Sequence, residues 1–318
     1  MDPQLSLEKT FLIATWVEGI LYGFLFCIFG GTMYLHFSSD YSKVGSKRER
    51  HATVMIIISS IMFFIATFHA VMVVIRFLHG FSDELLASEG PGGYLGELRR
   101  WDHILKDTLY TTQVNLGSAA AIYRCWTLWN FNWKVVVFPI ILLLTNTAVG
   151  YVVCGTYPSI EPTASIFNSH ITQWIKTLYA LAVVLNATIT CLLIYRIWAI
   201  RKDSASYRLG NCSSIPIVHI LIDSAALQLP FEIILLALYA AGLNAQYIML
   251  ECITPVVAIT FNAITIRLKL HSAAMEVIPL PNNHARKVGG TQPMSKKFQV
   301  SVIRECDEEH IHSFKNAS

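Results

Sequence analysis

Charged residues are scarce in this chain. Asp, Glu, Lys and Arg make up 14% of its 318 residues, while 54% are hydrophobic; in a typical soluble domain about 25% of the residues are charged. The formal net charge is only +3, so the chain lacks the strong basic excess with which nucleic-acid-binding proteins neutralise phosphates. The composition excludes an ordinary soluble domain and predicts no nucleic-acid partner.

Motifs of the common enzyme classes are also missing. The chain has no HExxH zinc motif, no GxSxG nucleophile motif and no phosphate-binding P-loop. Its last apolar segment contains no histidine, which a seven-helix zinc hydrolase needs there. The neighbouring Lys269 lies at the end of that segment, not in the middle where a retinal pigment carries its lysine. We therefore expect no catalytic residue, no cofactor and no metal ligand.

Long apolar segments are what the chain has in abundance. Each of seven segments is long enough for an α-helix that crosses about 30 Å of hydrocarbon, which takes about 20 residues. These runs, numbered 1 to 7, lie at about 11–35, 52–78, 105–128, 135–154, 172–198, 216–240 and 246–268. The pattern predicts an all-α, polytopic seven-transmembrane-helix bundle over residues 1–270, followed by a disordered cytoplasmic tail, 271–318.

Lysine and arginine are concentrated on one predicted side of the membrane. The basic residues of that side are Lys43, Lys47, Arg48, Arg50, Arg124, Lys134, Arg196, Arg201, Lys202, Arg208, Arg267 and Lys269. On the other side, acidic residues offset the basic ones. The connection between runs 2 and 3 lies on that side, and its sequence Gly90-Pro91-Gly92-Gly93 predicts a turn or a flexible stretch. The positive-inside rule then places the N-terminus outside and the C-terminus in the cytoplasm, and we expect a multi-pass protein of the plasma membrane.

Seven cysteines are present, and none lies at the outer start of run 3. The helix 3 disulfide typical of the main animal receptor class is therefore excluded. Most of the cysteines lie within apolar runs or on the predicted cytoplasmic side, where thiols stay reduced. The seven are Cys27, Cys125, Cys154, Cys191, Cys212, Cys252 and Cys306.

Polar side chains recur in the predicted outer half of the bundle. Charged groups at membrane depth are costly and indicate function by default, so we interpret these side chains as the lining of an outward-facing, acidic ligand cavity. The predicted lining residues are Glu18, His69, Gln113, Glu232 and Glu251. For Glu251, and for Asp107 and Lys176, solvation by water at the membrane interface is the alternative interpretation.

A second polar group lies in the predicted inner half. Arg124 and Arg196 end runs 3 and 5, Asp223 lies at a similar depth in run 6, and Asn262 lies on a polar face of run 7. Because an unpaired buried carboxylate is expensive, we expect Asp223 to pair with Arg124 or Arg196. Pro230 permits a kink in run 6, so the pair is a candidate two-state switch. Interface anchoring of the Tyr-Arg motifs is the alternative explanation.

Several segments carry a resemblance to a known family. They are AIYRCWTLWNFNWKVVVFPIILLL, LIYRIWAIRK, IDSAALQL, GLNAQYIMLECITPVVAITFNAITIRLKL and, in the tail, FQVSVIRE. These segments resemble those of a large family of uncharacterised seven-transmembrane-helix proteins of mushroom-forming fungi (Agaricomycetes). The resemblance spans about residues 10–270 and the tail piece, and it implies topology and source but no chemistry. Similarity to G-protein-coupled receptors is only architectural, because the residue directly before Arg124 is Tyr123 and not an acidic residue, and run 7 lacks an Asn-Pro pair.

These patterns lead to one main functional hypothesis. We expect a receptor-like seven-helix sensor that couples the outer polar cavity to the cytoplasmic loops. Its expected partners are the lipid bilayer and a cytoplasmic signalling protein bound by the inner loops and the tail, while the ligand stays unknown. A small-solute transporter or channel, and a membrane scaffold without a ligand, are the two alternatives.

Overall fold

The computed structural model describes residues 5–38, 46–81, 90–159, 169–206 and 215–277. Its helices are α1 Leu7–Ser38, α2 Ser46–Gly80, α3 Gly90–Gly96, α4 Trp101–Leu128, α5 Trp133–Thr156, α6 Ser169–Ser206, α7 Ile215–Ala240 and α8 Gln246–Val277, with a 3-10 turn at Tyr157–Ser159. Every predicted apolar run lies within one of the long helices, so the all-α class is confirmed. Helix α8 continues into the segment predicted as a tail, and the rest of that tail lies outside the described residues.

Five of the helices, α1, α2, α5, α6 and α8, are long and apolar enough to cross a membrane. Large apolar side chains cover their outer surfaces: Trp16, Phe26 and Tyr34 of α1 are 71%, 62% and 72% exposed. A water-soluble protein would bury such side chains, whereas lipid tails solvate them. The chain is therefore a helical membrane protein.

Within the described residues, the other two long helices, α4 and α7, are not both long and apolar enough to count as membrane-spanning. Helix α4 is more polar, because its 28 residues include Asp102, Lys106, Asp107 and Arg124. In α7, only residues 228–240 have described side chains, and they form a shorter apolar segment. The predicted count of seven spans thus stays a prediction. The predicted orientation does too, because the side chains of its basic segments, 39–52 and 201–214, lie outside the described residues.

Consecutive long helices run in opposite directions. The start of α1 meets the start of α8, where Asn244 Nδ2 donates to the Leu5 carbonyl at 3.1 Å. The start of α6 meets the end of α7, where the rings of Tyr179 and Tyr239 lie 5.5 Å apart. We call the end of the bundle where α1, α4, α6 and α8 begin the N-terminal end, and the opposite end the far end.

Helix α8 is the most enclosed of the candidate spans. In its most apolar stretch 78% of the residues are buried, against 22% to 39% in the other four. It contacts α2 through His69, α4 through Lys106, and α1 through the rings of Tyr247 and Phe11, which lie 4.8 Å apart. A side chain on α8 is thus positioned to touch several helices at once.

The glycine-rich segment Gly90–Gly96 between α2 and α4 is helical, so the prediction of a turn or a flexible stretch at these glycines was wrong. Pro91 fits the first turn of α3, where its missing N–H costs nothing. Arg76 of α2 stabilises the other end, since its Nη2 donates to the carbonyls of Leu95 at 2.7 Å and Glu97 at 3.3 Å. A tertiary contact from another helix therefore overrides the local glycine signal.

Two short connections are built from left-handed backbone. Between α4 and α5, Asn130 and Phe131 have φ angles of 53° and 61°, and the Asn132 side chain then caps α5 by accepting from the Lys134 N–H at 3.1 Å. Between α7 and α8, Gly242 has a φ of 70°, which only glycine adopts without strain.

The described cysteines are all free thiols. Cys154 and Cys252 are buried at the N-terminal end, and Cys125 is buried at the far end. Cys27 and Cys191 are exposed on the surfaces of α1 and α6. The other two cysteines lie outside the described residues.

Candidate functional site

A row of buried charged side chains crosses the N-terminal end of the bundle. Glu18 Oε1 of α1 lies 2.7 Å from His69 Nδ1 of α2. His69 Nε2 lies 3.5 Å from Glu251 Oε2 of α8, and Lys106 Nζ of α4 donates to Glu251 Oε1 at 2.6 Å. Each of these four residues is at most 2% exposed. Ion pairs shielded from solvent thus connect four helices.

The row continues along α4 to Asp107. Its Oδ1 lies 3.6 Å from Lys106 Nζ, and its Oδ2 lies 3.5 Å from His103 Nε2. The Tyr157 hydroxyl donates to the same Oδ2 at 2.9 Å. We call the set of six ionisable residues in this row the charge cluster: Glu18, His69, His103, Lys106, Asp107 and Glu251.

The charge cluster has more acidic than basic groups. It contains three carboxylates and one lysine, so its formal charge is −2 when both histidines are neutral. Six of its buried atoms have no hydrogen-bond partner: Glu18 Oε2, His69 Nε2, His103 Nδ1, His103 Nε2, Asp107 Oδ1 and Glu251 Oε2. Buried charges are stable only when they are compensated, so the cluster is chemically prepared to take up positive charge.

A second network, centred on Arg76, ties α2 and α3 to the start of α4. Arg76 Nη1 lies 3.5 Å from Asp102 Oδ1, and the Tyr94 hydroxyl donates to Asp102 Oδ2 at 3.1 Å. The Arg100 guanidinium stacks on the Tyr94 ring at 3.9 Å. Burial, together with the nearby Asp102 carboxylate, raises the pKa of Tyr94. This network fixes the connection that covers the charge cluster's end of the bundle.

Two residues predicted for the outer cavity, Gln113 and Glu232, lie outside the charge cluster. Gln113 is buried, and its Nε2 donates to main-chain carbonyls of α2 and α8, each at 3.3 Å. Glu232 of α7 accepts from Asn186 Nδ2 at 2.5 Å and from Gln228 Nε2 at 2.8 Å. The structure thus brings Glu18, His69 and Glu251 together, whereas Gln113 and Glu232 bind other partners.

His103 and Lys106 are the members of the charge cluster that the sequence pattern did not reveal. Asp107 and Glu251 are 7% and 0% exposed, so the interpretation of both as water-solvated was wrong, whereas Lys176 is exposed. The missing signal was the spacing of His103 and the Lys106–Asp107 pair. Residues three and four apart share a helix face, so this spacing places all three on the interior side of α4.

Arg124 and Arg196 of the predicted inner switch lie at the far end. Arg124 Nη2 donates to the Phe261 carbonyl at 3.2 Å, and its guanidinium stacks on the Phe261 ring at 4.1 Å. Arg196 Nε donates to the Leu128 carbonyl at 3.1 Å. The side chain of Asp223 lies outside the described residues, so its pairing with either arginine stays a prediction.

Asn262, the fourth predicted switch residue, joins α2 to α8. Its Oδ1 accepts from Ser59 Oγ at 2.5 Å, and its Nδ2 donates to the Ala258 carbonyl at 2.9 Å. All of this side chain is buried. Its position indicates a structural role between the charge cluster and the far end.

A cavity of about 50 Å³ lies between α4, α6, α7 and α8, with Gly117, Arg124 and Gln228 in its wall. A smaller cavity, of about 10 Å³, lies beside Asp107 and Tyr179 nearer the N-terminal end. The two cavities share no lining residue. They therefore occupy different levels of the bundle.

Comparison of the chain with protein-family models, with curated proteins and with solved structures finds no match. The resemblance to the fungal family therefore stays a prediction from the segments quoted above. Function is inferred from the geometry of the charge cluster and of the far end.

Proposed function

We propose that this chain is a receptor-like sensor in the plasma membrane, built as a seven-helix bundle of the fungal family that it resembles. In this proposal the charge cluster lies in the outer half and the far end faces the cytoplasm, as the basic segments predict. An external ligand or ion acts on the charge cluster. A cytoplasmic signalling protein, bound by the inner loops and the tail, receives the output.

The observation that carries this proposal is the way α4 and α8 are joined at three levels. Lys106 and Glu251 form an ion pair at the N-terminal end, Gln113 donates to a carbonyl of α8 in the middle, and Arg124 donates to another at the far end. Lys106 and Arg124 are 18 residues apart in sequence, which is about 27 Å along a helix. In this proposal the α4–α8 pair therefore links the two sides of the membrane.

The energies of these contacts suit a switch. Breaking a buried ion pair such as Lys106–Glu251 costs about 3–5 kcal/mol, and coupling between two sites in signalling proteins is typically about 1–3 kcal/mol. A change of charge at Glu251 is therefore large enough to shift α4 against α8. The cavity beside Arg124 gives the far end room to rearrange.

Transport is the second candidate function, and one observation favours it. Acidic and basic groups alternate along the row from Glu18 through His69, Glu251 and Lys106 to Asp107, which is the arrangement of a proton relay. A relay also needs an opening to each side of the membrane. The two described cavities lie at different levels and share no residue, which favours the sensor.

The sensor proposal is tested by measuring the far end while the charge cluster is changed. Spin labels are attached at Lys134→Cys and Leu270→Cys, two exposed far-end positions, after the cysteines outside the buried core are replaced by serine. The full chain is reconstituted in vesicles, and the distance between the labels is measured. We expect Lys106→Gln to shift this distance, and the matched control Lys176→Gln, at an exposed lysine, to leave it unchanged.

An unchanged distance in a folded Lys106→Gln protein would contradict the coupling and with it the sensor. Proton flux into the same vesicles is followed with an internal pH dye. Flux that is abolished by Lys106→Gln without any change at the far end supports the transporter instead.

A further inference from the structure

We propose that Glu18, His69 and Glu251 form a binding site for a divalent transition-metal ion such as Zn²⁺. His69 Nε2 and Glu251 Oε2 are the direct ligands, and Glu18 orients the imidazole. Each of the three residues offers one ligand atom, and these atoms lie within 4.8 Å of one another. The sequence pattern predicted no metal site, and this proposal stands independently of the sensor function.

The separation of the two ligand atoms fits coordination better than hydrogen bonding. His69 Nε2 and Glu251 Oε2 are 3.5 Å apart, beyond the usual N–H···O distance of about 2.7–3.2 Å, and neither atom has a hydrogen-bond partner. Two ligands that each lie about 2.0–2.2 Å from a tetrahedral zinc ion are about 3.4 Å apart. Both side chains are buried and directed toward each other, so an ion between them would satisfy both atoms.

Glu18 holds the histidine in the tautomer that a metal ion needs. Its Oε1 is 2.7 Å from His69 Nδ1, the distance of a charge-assisted hydrogen bond. A proton on Nδ1 leaves the lone pair of Nε2 free for the ion. Metal-binding histidines usually have a carboxylate or carbonyl partner of this kind on their other nitrogen.

The charge balance also favours a divalent ion. The charge cluster has a formal charge of −2 with neutral histidines, so one divalent ion brings it to zero, whereas a proton on His69 brings it only to −1. Lys106 occupies Glu251 Oε1 and leaves Oε2 available. Glu251 is five residues after the start of α8, which places it about 8 Å along the helix from the N-terminal end.

The metal content of the purified full chain tests the proposal. Zinc is measured by mass spectrometry after purification in detergent, and chelator-treated protein is titrated with Zn²⁺ while its melting temperature is followed. We expect one zinc ion per chain, a rise in melting temperature, and an affinity that Glu18→Gln lowers by about 10–100-fold. Glu251→Gln and His69→Gln should abolish binding, and His79→Gln, a control at an exposed histidine of α2 outside the charge cluster, should retain it.

Co²⁺ bound at a tetrahedral site with nitrogen and oxygen ligands produces strong visible absorption. This absorption is measured on the unmutated chain, so a folding defect of a variant does not affect it. Absence of zinc, of a shift in melting temperature and of this absorption in the unmutated chain would refute the site, and His69 would then carry a proton between the two carboxylates. Unchanged zinc affinity in folded Glu251→Gln protein would refute it as well, because the ion would be bound elsewhere.

Discussion

Gly117 lies at a close approach of α4 and α8, and replacing it with alanine tests the contact on which the proposed coupling through this helix pair depends. A Cβ atom at this position would overlap Val257 Cγ1, and Met62 Cε lies 3.7 Å away on another side. Alanine is favoured over glycine within a helix by about 1 kcal/mol, but overpacking costs about 1–3 kcal/mol. We expect Gly117→Ala to lower the free energy of unfolding by up to about 2 kcal/mol.

Gly23→Ala in α1 is the matched control, because a Cβ there meets nothing within 4 Å. It keeps the propensity gain of about 1 kcal/mol without the clash. The two variants should therefore differ by about 1–3 kcal/mol, measured as thermal unfolding of the detergent-solubilised chain by circular dichroism. Val257→Ala removes the overlapping atom, so in a double-mutant cycle it should recover much of the loss in Gly117→Ala.

Equal stability of Gly117→Ala and Gly23→Ala would refute the close approach of α4 and α8. A loss in Gly117→Ala that Val257→Ala does not relieve would locate the strain elsewhere. In either case the helix pair would not be the tightly packed unit that the proposed coupling requires.

Three further predictions follow from other contacts. Lys106→Gln leaves its carboxylate partner buried and unpaired and should cost about 3–5 kcal/mol of stability, whereas Lys176→Gln, at an exposed position, should be neutral in the same unfolding assay. Arg76→Gln removes the donor that holds the end of α3, so amide hydrogen exchange in α3 should accelerate, while the exposed Arg99→Gln should leave it unchanged. A glycosylation reporter fused to the C-terminus should stay unmodified, because that end is predicted to be cytoplasmic. Glycosylation of the reporter would show that the predicted orientation is wrong.

The helices could be located from the sequence because a lipid-facing helix is apolar over its whole length. Hydropathy reports this directly, so all seven apolar runs lie within helices. Helix ends were less accurate, since α2 and α6 extend into polar residues that hydropathy does not record. The helical Gly90–Gly96 segment was missed because Arg76, which stabilises it, is distant in sequence.

The charge cluster could be predicted only in part, because depth can be estimated from sequence and rotation about a helix axis cannot. Depth alone correctly put Glu18, His69 and Glu251 at one level. It put Glu232 there too, yet α7 turns this side chain toward Asn186. Lys106 was not predicted as a lining residue, because a lysine five residues into a helix is usually exposed to water. Only the position of α8 beside it makes its burial possible.

The polar contacts of α4 also set an order of assembly for the protein. Lys106 of α4 finds its carboxylate in α8, and 145 residues separate the two in the chain. A lysine or aspartate that enters the bilayer unpaired costs about 2.5–3.5 kcal/mol, and α4 is made long before α8. If α4 spans the membrane as predicted, we expect it to wait beside the insertion machinery, or to be held by α2, until α8 arrives. A chain truncated before α8 would present an uncompensated lysine, which is a signal that membrane-protein quality control can recognise.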